Sequence, residues 1–145
     1  MKELVASPEA PTPVGPYSPA LRVGDWIYLS GQGAFDPSTG AIVSDDVEEQ
    51  TAQVFRNIGV LLAAAGADLD DVVSCLVHLS DLSDFSKVNR VYEKHFIGTR
   101  PTRTTVRADL VEGMKVEITA IAHRGSEPGE ASPERSQMIA PSTTV

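Results

Sequence analysis

The chain has few of the residues on which several kinds of functional site depend. It has one cysteine, Cys75, among 145 residues, which excludes an internal disulfide and a zinc site built from several cysteines. Aromatic residues make up only 6%, and 12 Lys and Arg stand against 20 Asp and Glu, so the formal net charge is −8. Because contacts with phosphates need a basic surface, this balance argues against a protein that binds nucleic acid or an anionic membrane.

Long apolar runs are also missing. No run approaches the roughly 18 residues of a membrane-spanning helix, and the N-terminal residues 1–5 lack the apolar core of a signal peptide. These absences predict a cytoplasmic protein. The segment from Gly125 to Val145 is rich in Pro, Ser and Glu and poor in large apolar residues, which is typical of a tail. We therefore predict one folded domain over residues 1–124 and a tail over residues 125–145.

Hydrophobic periodicity predicts a sheet with two helices. The predicted elements, in chain order, are paired strands at 21–23 and 26–30, a helix at 47–65, a central strand at 71–79, a helix that begins at Ser83 or Asp84 and has apolar residues through to Phe96, and paired strands at 102–110 and 115–123. Asp46 is the expected cap of the first helix, and Gly66 is a natural residue to end it. The β-β-α-β-α-β-β order is typical of an α+β fold with both helices on one face of a mixed sheet.

Alternation along the last two strands divides their side chains into two sets. The sets predicted to pack under the helices are Thr104, Val106, Ala108 and Leu110 with Val116, Ile118, Ala120 and Ala122. The sets predicted to share the other face are Arg103, Thr105, Arg107 and Asp109 with Lys115, Glu117, Thr119, Ile121 and His123. A face that mixes Arg, Glu and Ile is typical of a subunit interface with polar sites. An open, solvated sheet face is the alternative.

Charge is unevenly distributed along the chain. Residues 25–84 hold eleven acids and one base, whereas residues 85–124 hold eight bases and four acids. Arg103 and Arg107 lie inside a predicted strand, where a guanidinium fork can bind a carboxylate through two hydrogen bonds. A structural ion pair with Glu117 or Asp109 is the alternative. Cys75 lies in an apolar run, which favours a buried, unreactive thiol, and the three histidines lack the spacing of metal ligands.

Several short motifs, taken together, resemble one family over about residues 2–123. They are Gly15-Pro16-Tyr17-Ser18-Pro19-Ala20, Ser30-Gly31-Gln32, Gln50-Thr51 through Asn57, Ala65-Gly66 with Asp71-Val72-Val73, Asp84-Phe85 through Val91-Tyr92, Arg103-Thr104, and Val116-Glu117-Ile118 through Ile121-Ala122. In this order and spacing they resemble the RidA/YjgF family of imine deaminases, whose members are also labelled endoribonuclease L-PSP.

The resemblance implies a chorismate-mutase-like α+β fold and a homotrimer with sites between subunits. The implied activity is hydrolysis of reactive 2-imino acids, such as 2-iminobutanoate, to 2-keto acids and ammonia, without a metal or organic cofactor. The implied catalytic residues are Arg103, which binds the substrate carboxylate, Glu117, which positions water, and Tyr17. The implied substrate-binding residues are Ser30, Gly31, Asn89 and Thr105, the last at a position that is Cys in some members.

The chain also departs from the family pattern. The interval from Arg103 to Glu117 is about one residue shorter than in the archetype, and Gly33-Ala34-Phe35 differs from the usual stretch. These departures leave open a deaminase of another small enamine, such as an aminomuconate-like compound. A non-enzymatic ligand-binding or chaperone trimer is a further alternative. RNA cleavage is disfavoured by the charge, the few aromatic residues and the lack of a catalytic His pair.

Overall fold

A computed structural model describes residues 1–125, so nearly all of the predicted tail lies outside the described residues. Six strands form one sheet, and two helices cover one of its faces. The strands are β1 (Lys2–Val5), β2 (Ala20–Val23), β3 (Trp26–Leu29), β4 (Val72–Leu79), β5 (Thr102–Arg107) and β6 (Val116–His123). The helices are α1 (Val47–Ala64) and α2 (Phe85–His95).

The sheet has the strand order β1-β2-β3-β6-β4-β5. Only β4 and β5 pair in parallel, and the other neighbours are antiparallel, so the predicted mixed sheet is confirmed. The predicted pairing of β2 with β3 is also confirmed, with Leu21 opposite Tyr28. β1 has no counterpart among the predicted strands, because this four-residue strand buries only Val5 and has no alternating pattern to reveal it.

Both predicted helices are present. Asp46 caps α1 by accepting a hydrogen bond from the Glu48 amide, and Gly66 follows the helix at a φ of 78°, which glycine adopts without strain. The buried face of α1, which includes Phe55 and Leu62, packs against sheet residues such as Ile118 to form the core. In the described part of the chain, no helix is both long and apolar enough to cross a membrane.

The predicted hairpin of the last two strands is wrong. β4 lies between β5 and β6 and pairs with both, so β5 and β6 do not contact each other through a ladder. The intervening residues instead pass the end of β4, where the Ala108 amide bonds to the Leu79 carbonyl and the Ser80 amide to the Lys115 carbonyl. The helix α2 between β4 and β5 provides the crossover that a parallel pair requires.

The predicted orientation of β5 is also wrong, and this matters for the site. Arg103 is in register with Cys75 and Thr105 with Val77, and both β4 residues are buried on the helix face. Neighbours in register point to the same side of a sheet. Arg103 and Thr105 therefore face the helices, whereas Thr104 and Val106, predicted to be covered, lie on the open face. For β6 the prediction is confirmed, because Val116, Ile118, Ala120 and Ala122 are buried.

The single thiol gives a direct test of this core. Cys75 is only 2% exposed, and burial raises the pKa of its thiol. We expect a thiol reagent such as DTNB at pH 8 to label fewer than about a tenth of the folded chains in an hour, because the reactive thiolate is both scarce and covered. In guanidinium chloride, one thiol per chain should react at once. Rapid stoichiometric labelling of the folded protein would contradict the predicted inert role.

Candidate active site

The first candidate cleft, here called the tyrosine cleft, is lined by Tyr17, Gly31 and Glu117. It has a volume of about 500 Å³ and is bordered by the N-terminal loop and the loop that follows Gly31. Asp36 also lines it, and hydrogen bonds from the hydroxyl and amide of Ser38 hold the pKa of that carboxyl below its usual range. The two charged side chains in its lining, Asp36 and Glu117, are both carboxylates, so the tyrosine cleft carries negative charge.

Glu117 and Gly31 approach each other closely. Glu117 lies on the open face of β6, opposite His78 of β4. A Cβ atom added to Gly31 would lie 2.5 Å from Glu117 Oε1, so only glycine leaves the carboxylate where it is. Reciprocal backbone hydrogen bonds of 2.9 and 3.0 Å between Gln32 and Ile118 fix this approach. In the described chain Glu117 forms no ion pair, so its oxygens are available to a ligand or water.

Tyr17 and Ser30 differ in what their hydroxyls offer. The Tyr17 hydroxyl oxygen accepts a 3.2 Å hydrogen bond from the Val14 amide, which leaves its proton available for donation into the tyrosine cleft. The Ser30 hydroxyl donates instead to the Ser18 carbonyl at 2.7 Å, and Ser30 does not line the cleft. Ser30 therefore holds the strand end that precedes Gly31.

A buried polar network, whose role was not predicted from the sequence, supports the loop after Gly31. Asn57 of α1 donates from Nδ2 to the carbonyl oxygens of Gly33 and Phe35, at 3.1 and 2.9 Å. Gln53 Nε2 donates to Asn57 Oδ1 at 2.9 Å, and both amides are more than nine-tenths buried. The sequence did hold a signal for this network. Gln53 and Asn57 are polar residues on the apolar face of a predicted helix, and buried amides need hydrogen-bond partners.

The second candidate cleft, here called the arginine cleft, lies between α2 and the start of β5. Asn89, Arg103 and Thr105 line it, together with Phe85, Tyr92, Glu93 and Arg100, and its volume is about 630 Å³. Three of the residues named by the resemblance therefore meet here. Arg100 and Arg103 outnumber Glu93, so the arginine cleft has positive charge.

Two aromatic rings and one hydroxyl orient the Arg103 guanidinium. Its central carbon lies 4.7 Å from the centre of the Tyr92 ring and 5.2 Å from that of Phe85. Its Nε donates a 2.7 Å hydrogen bond to Thr105 Oγ1. These contacts involve the faces and the inner nitrogen of the guanidinium, so its two terminal nitrogens remain for a ligand. The seven-residue spacing of Phe85 and Tyr92 on one helix face was the signal that could have identified this pair.

Tyr92 is a neutral, buried group in the wall of the cleft. Desolvation is the main cause that raises the pKa of its phenol, which therefore stays protonated at neutral pH. Its hydroxyl has no hydrogen bond within ordinary geometric limits in the described chain, and the Cys75 thiol is its polar neighbour. Tyr92 thus presents an aromatic face to Arg103 rather than an acid or base to a substrate.

The two clefts lie on opposite sides of the sheet. Arg103 faces the helices, whereas Glu117 points from the open face, so one chain does not bring the two residues together. Within residues 1–125, no ion pair joins Arg103 to Glu117 or Asp109. The same range contains no group of three His, Cys, Asp or Glu side chains that could hold a metal ion. The residue predicted to bind a carboxylate and the residue predicted to position water therefore lie on separate surfaces of one chain.

The comparisons with known proteins agree with this fold and these motifs. The sequence model of the family described as Endoribonuclease L-PSP matches residues 7–124. A mouse protein named 2-iminobutanoate/2-iminopropanoate deaminase is 41% identical over 126 residues, which cover 86% of this chain and 93% of the mouse protein.

Two solved structures extend the likeness to three dimensions. RidA from the Antarctic bacterium Psychrobacter superimposes with a TM-score of 0.80 at 39% identity, covering 83% of this chain and 98% of that one. TdcF from E. coli with bound serine gives 0.79 at 34% identity, covering 85% and 99%. On the family match and these relatives together, the chain belongs to the RidA/YjgF (Endoribonuclease L-PSP) family.

Proposed function

We propose that this protein hydrolyses reactive 2-imino acids, and their enamine tautomers, to 2-keto acids and ammonia without a metal or organic cofactor. The observation that supports it most is the presence of two complementary clefts. One offers an oriented, unpaired arginine and the other an unpaired carboxylate beside exposed backbone. A 2-imino acid needs both, because it has a carboxylate to hold and an electrophilic carbon for water to attack.

The complete site forms, on this proposal, between subunits of a homotrimer. Arg103 and Glu117 lie on opposite faces of one sheet, so the arginine cleft of one subunit must meet the tyrosine cleft of the next. The opposite charges of the two clefts favour this pairing. The open sheet face also supports association, because it exposes large apolar side chains such as Tyr28, at 44%, and Leu76, at 37%.

In the assembled site, Arg103 binds the substrate carboxylate through its two terminal nitrogens. Thr105 and the rings of Phe85 and Tyr92 hold the guanidinium in place before substrate arrives, so little side-chain entropy is lost on binding. The Asn89 side-chain amide, which lines the same cleft, can donate a hydrogen bond to the substrate or accept one from it. Gly31 of the adjacent subunit has no side chain, so its backbone can approach the bound substrate closely.

Glu117 then moves the protons that hydrolysis requires. Its carboxylate accepts a proton as a water oxygen bonds to the imine carbon, and returns that proton to the nitrogen, giving a carbinolamine. The proton of the new hydroxyl passes by the same carboxylate to nitrogen as the C–N bond breaks. The products are a 2-keto acid and ammonia, so atoms and charge balance. Tyr17 donates a hydrogen bond that stabilises negative charge on the attacking oxygen.

The direct test generates the imine in place. An L-amino-acid oxidase acting on L-alanine or L-2-aminobutanoate releases the 2-imino acid, which semicarbazide traps unless it is hydrolysed first. Purified protein should lower the yield of semicarbazone in proportion to its concentration, and heat-denatured protein should not. Semicarbazone formation that is insensitive to the folded protein would contradict the proposed activity.

Substitution of Gly31 tests the close approach in the tyrosine cleft. We expect Gly31→Ala to lower kcat/KM about 10- to 100-fold, because the new Cβ displaces the Glu117 carboxylate by the order of an ångström. Stability should change little, since the carboxylate is the free end of a flexible side chain. Gly59→Ala is the matched control, because a Cβ there meets nothing within 4 Å. Equal activity in both variants, measured with the oxidase assay, would refute the positioning of Glu117 by Gly31.

A further inference from the structure

Arg100 is a second guanidinium in the arginine cleft, and the mechanism above does not use it. It lines the cleft together with Arg103, which follows it by three residues. Its Nε donates a 3.2 Å hydrogen bond to the Phe96 carbonyl, so the side chain folds back toward the end of α2. In the described chain no carboxylate lies within 4.0 Å of its guanidinium nitrogens. Its terminal nitrogens are therefore available to a ligand.

We propose that the arginine cleft binds a second carboxylate, and that the protein accepts imines of four- or five-carbon dicarboxylic 2-keto acids. Arg103 holds the carboxylate next to the imine carbon, and Arg100 holds the distal one. The catalytic part of this inference rests on the proposed function, whereas the binding part does not. The hydrolysis itself is unchanged: water adds to the imine carbon and ammonia leaves.

Chain geometry places the two guanidiniums within reach of one small molecule. Three residues of extended chain span about 10 Å, and Arg100 and Arg103 both line the same cleft. Arg103 is fixed by Thr105 and the two rings, whereas among residues 1–125 Arg100 is anchored only at Nε. Arg100 can therefore adjust to the length of the ligand, which is why both four- and five-carbon diacids are proposed.

Glu93 opposes the second carboxylate and provides an internal check. It lies on α2 and lines the same cleft, so its negative charge repels a dianionic ligand more than a monoanionic one. Removal of the Glu93 charge should therefore increase the preference for dicarboxylic over monocarboxylic ligands, whereas removal of the Arg100 charge should decrease it. A purely structural role of Arg100 at the end of α2 predicts no such pair of opposite effects.

The catalytic experiment compares two imines with the same protein. The imines of aspartate or glutamate are generated with the matching amino-acid oxidase, alongside the imine of alanine. Arg100→Gln should lower the ratio of kcat/KM for the dicarboxylic over the monocarboxylic imine about tenfold, the size of one charge-assisted hydrogen bond. Glu93→Gln should raise that ratio. Lys94→Gln, an exposed neighbour outside the cleft, should leave it within about twofold.

A binding experiment gives an answer even if no imine is hydrolysed. Titration calorimetry with oxaloacetate and 2-oxoglutarate should show tighter binding than with 2-oxobutanoate, by about tenfold. Arg100→Gln should remove that difference and Lys94→Gln should retain it. If the difference is present without deamination, the proposed function fails and the diacid site stands. Equal binding of mono- and diacids by the wild type, or an unchanged difference in Arg100→Gln, would overturn the diacid site.

Discussion

Arg103→Ala is expected to lower kcat/KM for 2-imino acids by about 10²–10³, because it removes the only oriented cation that we assign to the substrate carboxylate. The loss of a charged fork that is buried once substrate binds costs about 3–4 kcal/mol, and each 1.4 kcal/mol corresponds to tenfold in rate. Most of the loss should be in kcat, because a loosely held carboxylate lets the imine carbon move away from the attacking water. The measurement is the oxidase assay over a range of amino-acid concentrations.

Two further variants separate binding from packing. Arg103→Lys retains the charge but loses the planar fork and its stacking on Tyr92, so it should recover only a small part of the activity. Arg107→Ala is the matched control, since Arg107 lies on the same strand and face but is exposed and outside both clefts. If Arg103→Ala retains activity within threefold of Arg107→Ala, the assignment of Arg103 is incorrect.

Local patterns predicted those elements whose burial is one-sided. The 3.6-residue period of α1, its cap at Asp46 and its end at Gly66 are all present, and the alternation of β6 places Ile118 inside and Glu117 outside. In each case, one physical rule is sufficient, because a helix stripe or an alternating strand can bury only one set of side chains. The alternation of β6 therefore predicted correctly that Glu117 points away from the core.

The orientation of β5 could not be predicted in this way. As an edge strand, β5 is only partly covered, so its apolar residues need not face the core: Val106 lies on the open face at 38% exposure. Its facing is set by the register with β4, a pairing between segments that α2 separates in sequence. Arg103 tolerates the helix side because aromatic rings cover its guanidinium while the ends remain accessible.

On the proposed function, the complete site lies between two chains, and no rule that applies to one chain can locate it. Sequence patterns describe which residues a chain buries, but a site shared by two copies leaves each half on the surface of its own chain. Among the described residues, Glu117 forms no ion pair with a cationic side chain, and Arg103 forms none with a carboxylate. The mixed polar and apolar face of the last strands and the family resemblance both predicted sites between subunits. The opposite facing of Arg103 and Glu117 is what makes that arrangement necessary for the proposed reaction.

Mixing two inactive variants should restore activity, which is the sharpest expected consequence of a shared site. Arg103→Ala retains Glu117, and Glu117→Gln retains Arg103, so a hybrid trimer can pair the intact halves of different subunits. After the two variants are unfolded together and refolded at equal amounts, random assembly should make about a quarter of the sites complete. The mixture should therefore show about a quarter of wild-type activity, far above either parent, in the oxidase assay.

A double variant provides the control for this mixing experiment. Arg103→Ala/Glu117→Gln refolded with wild type also leaves about a quarter of the sites complete if they are shared, but about half if each chain contains its own. Hybrid formation is checked by native mass spectrometry with one variant tagged. If hybrids form and the single variants do not restore activity together, the two clefts do not meet between subunits. Restoration to the expected fraction would require Arg103 and Glu117 to act from different chains, as their opposite positions on the sheet demand.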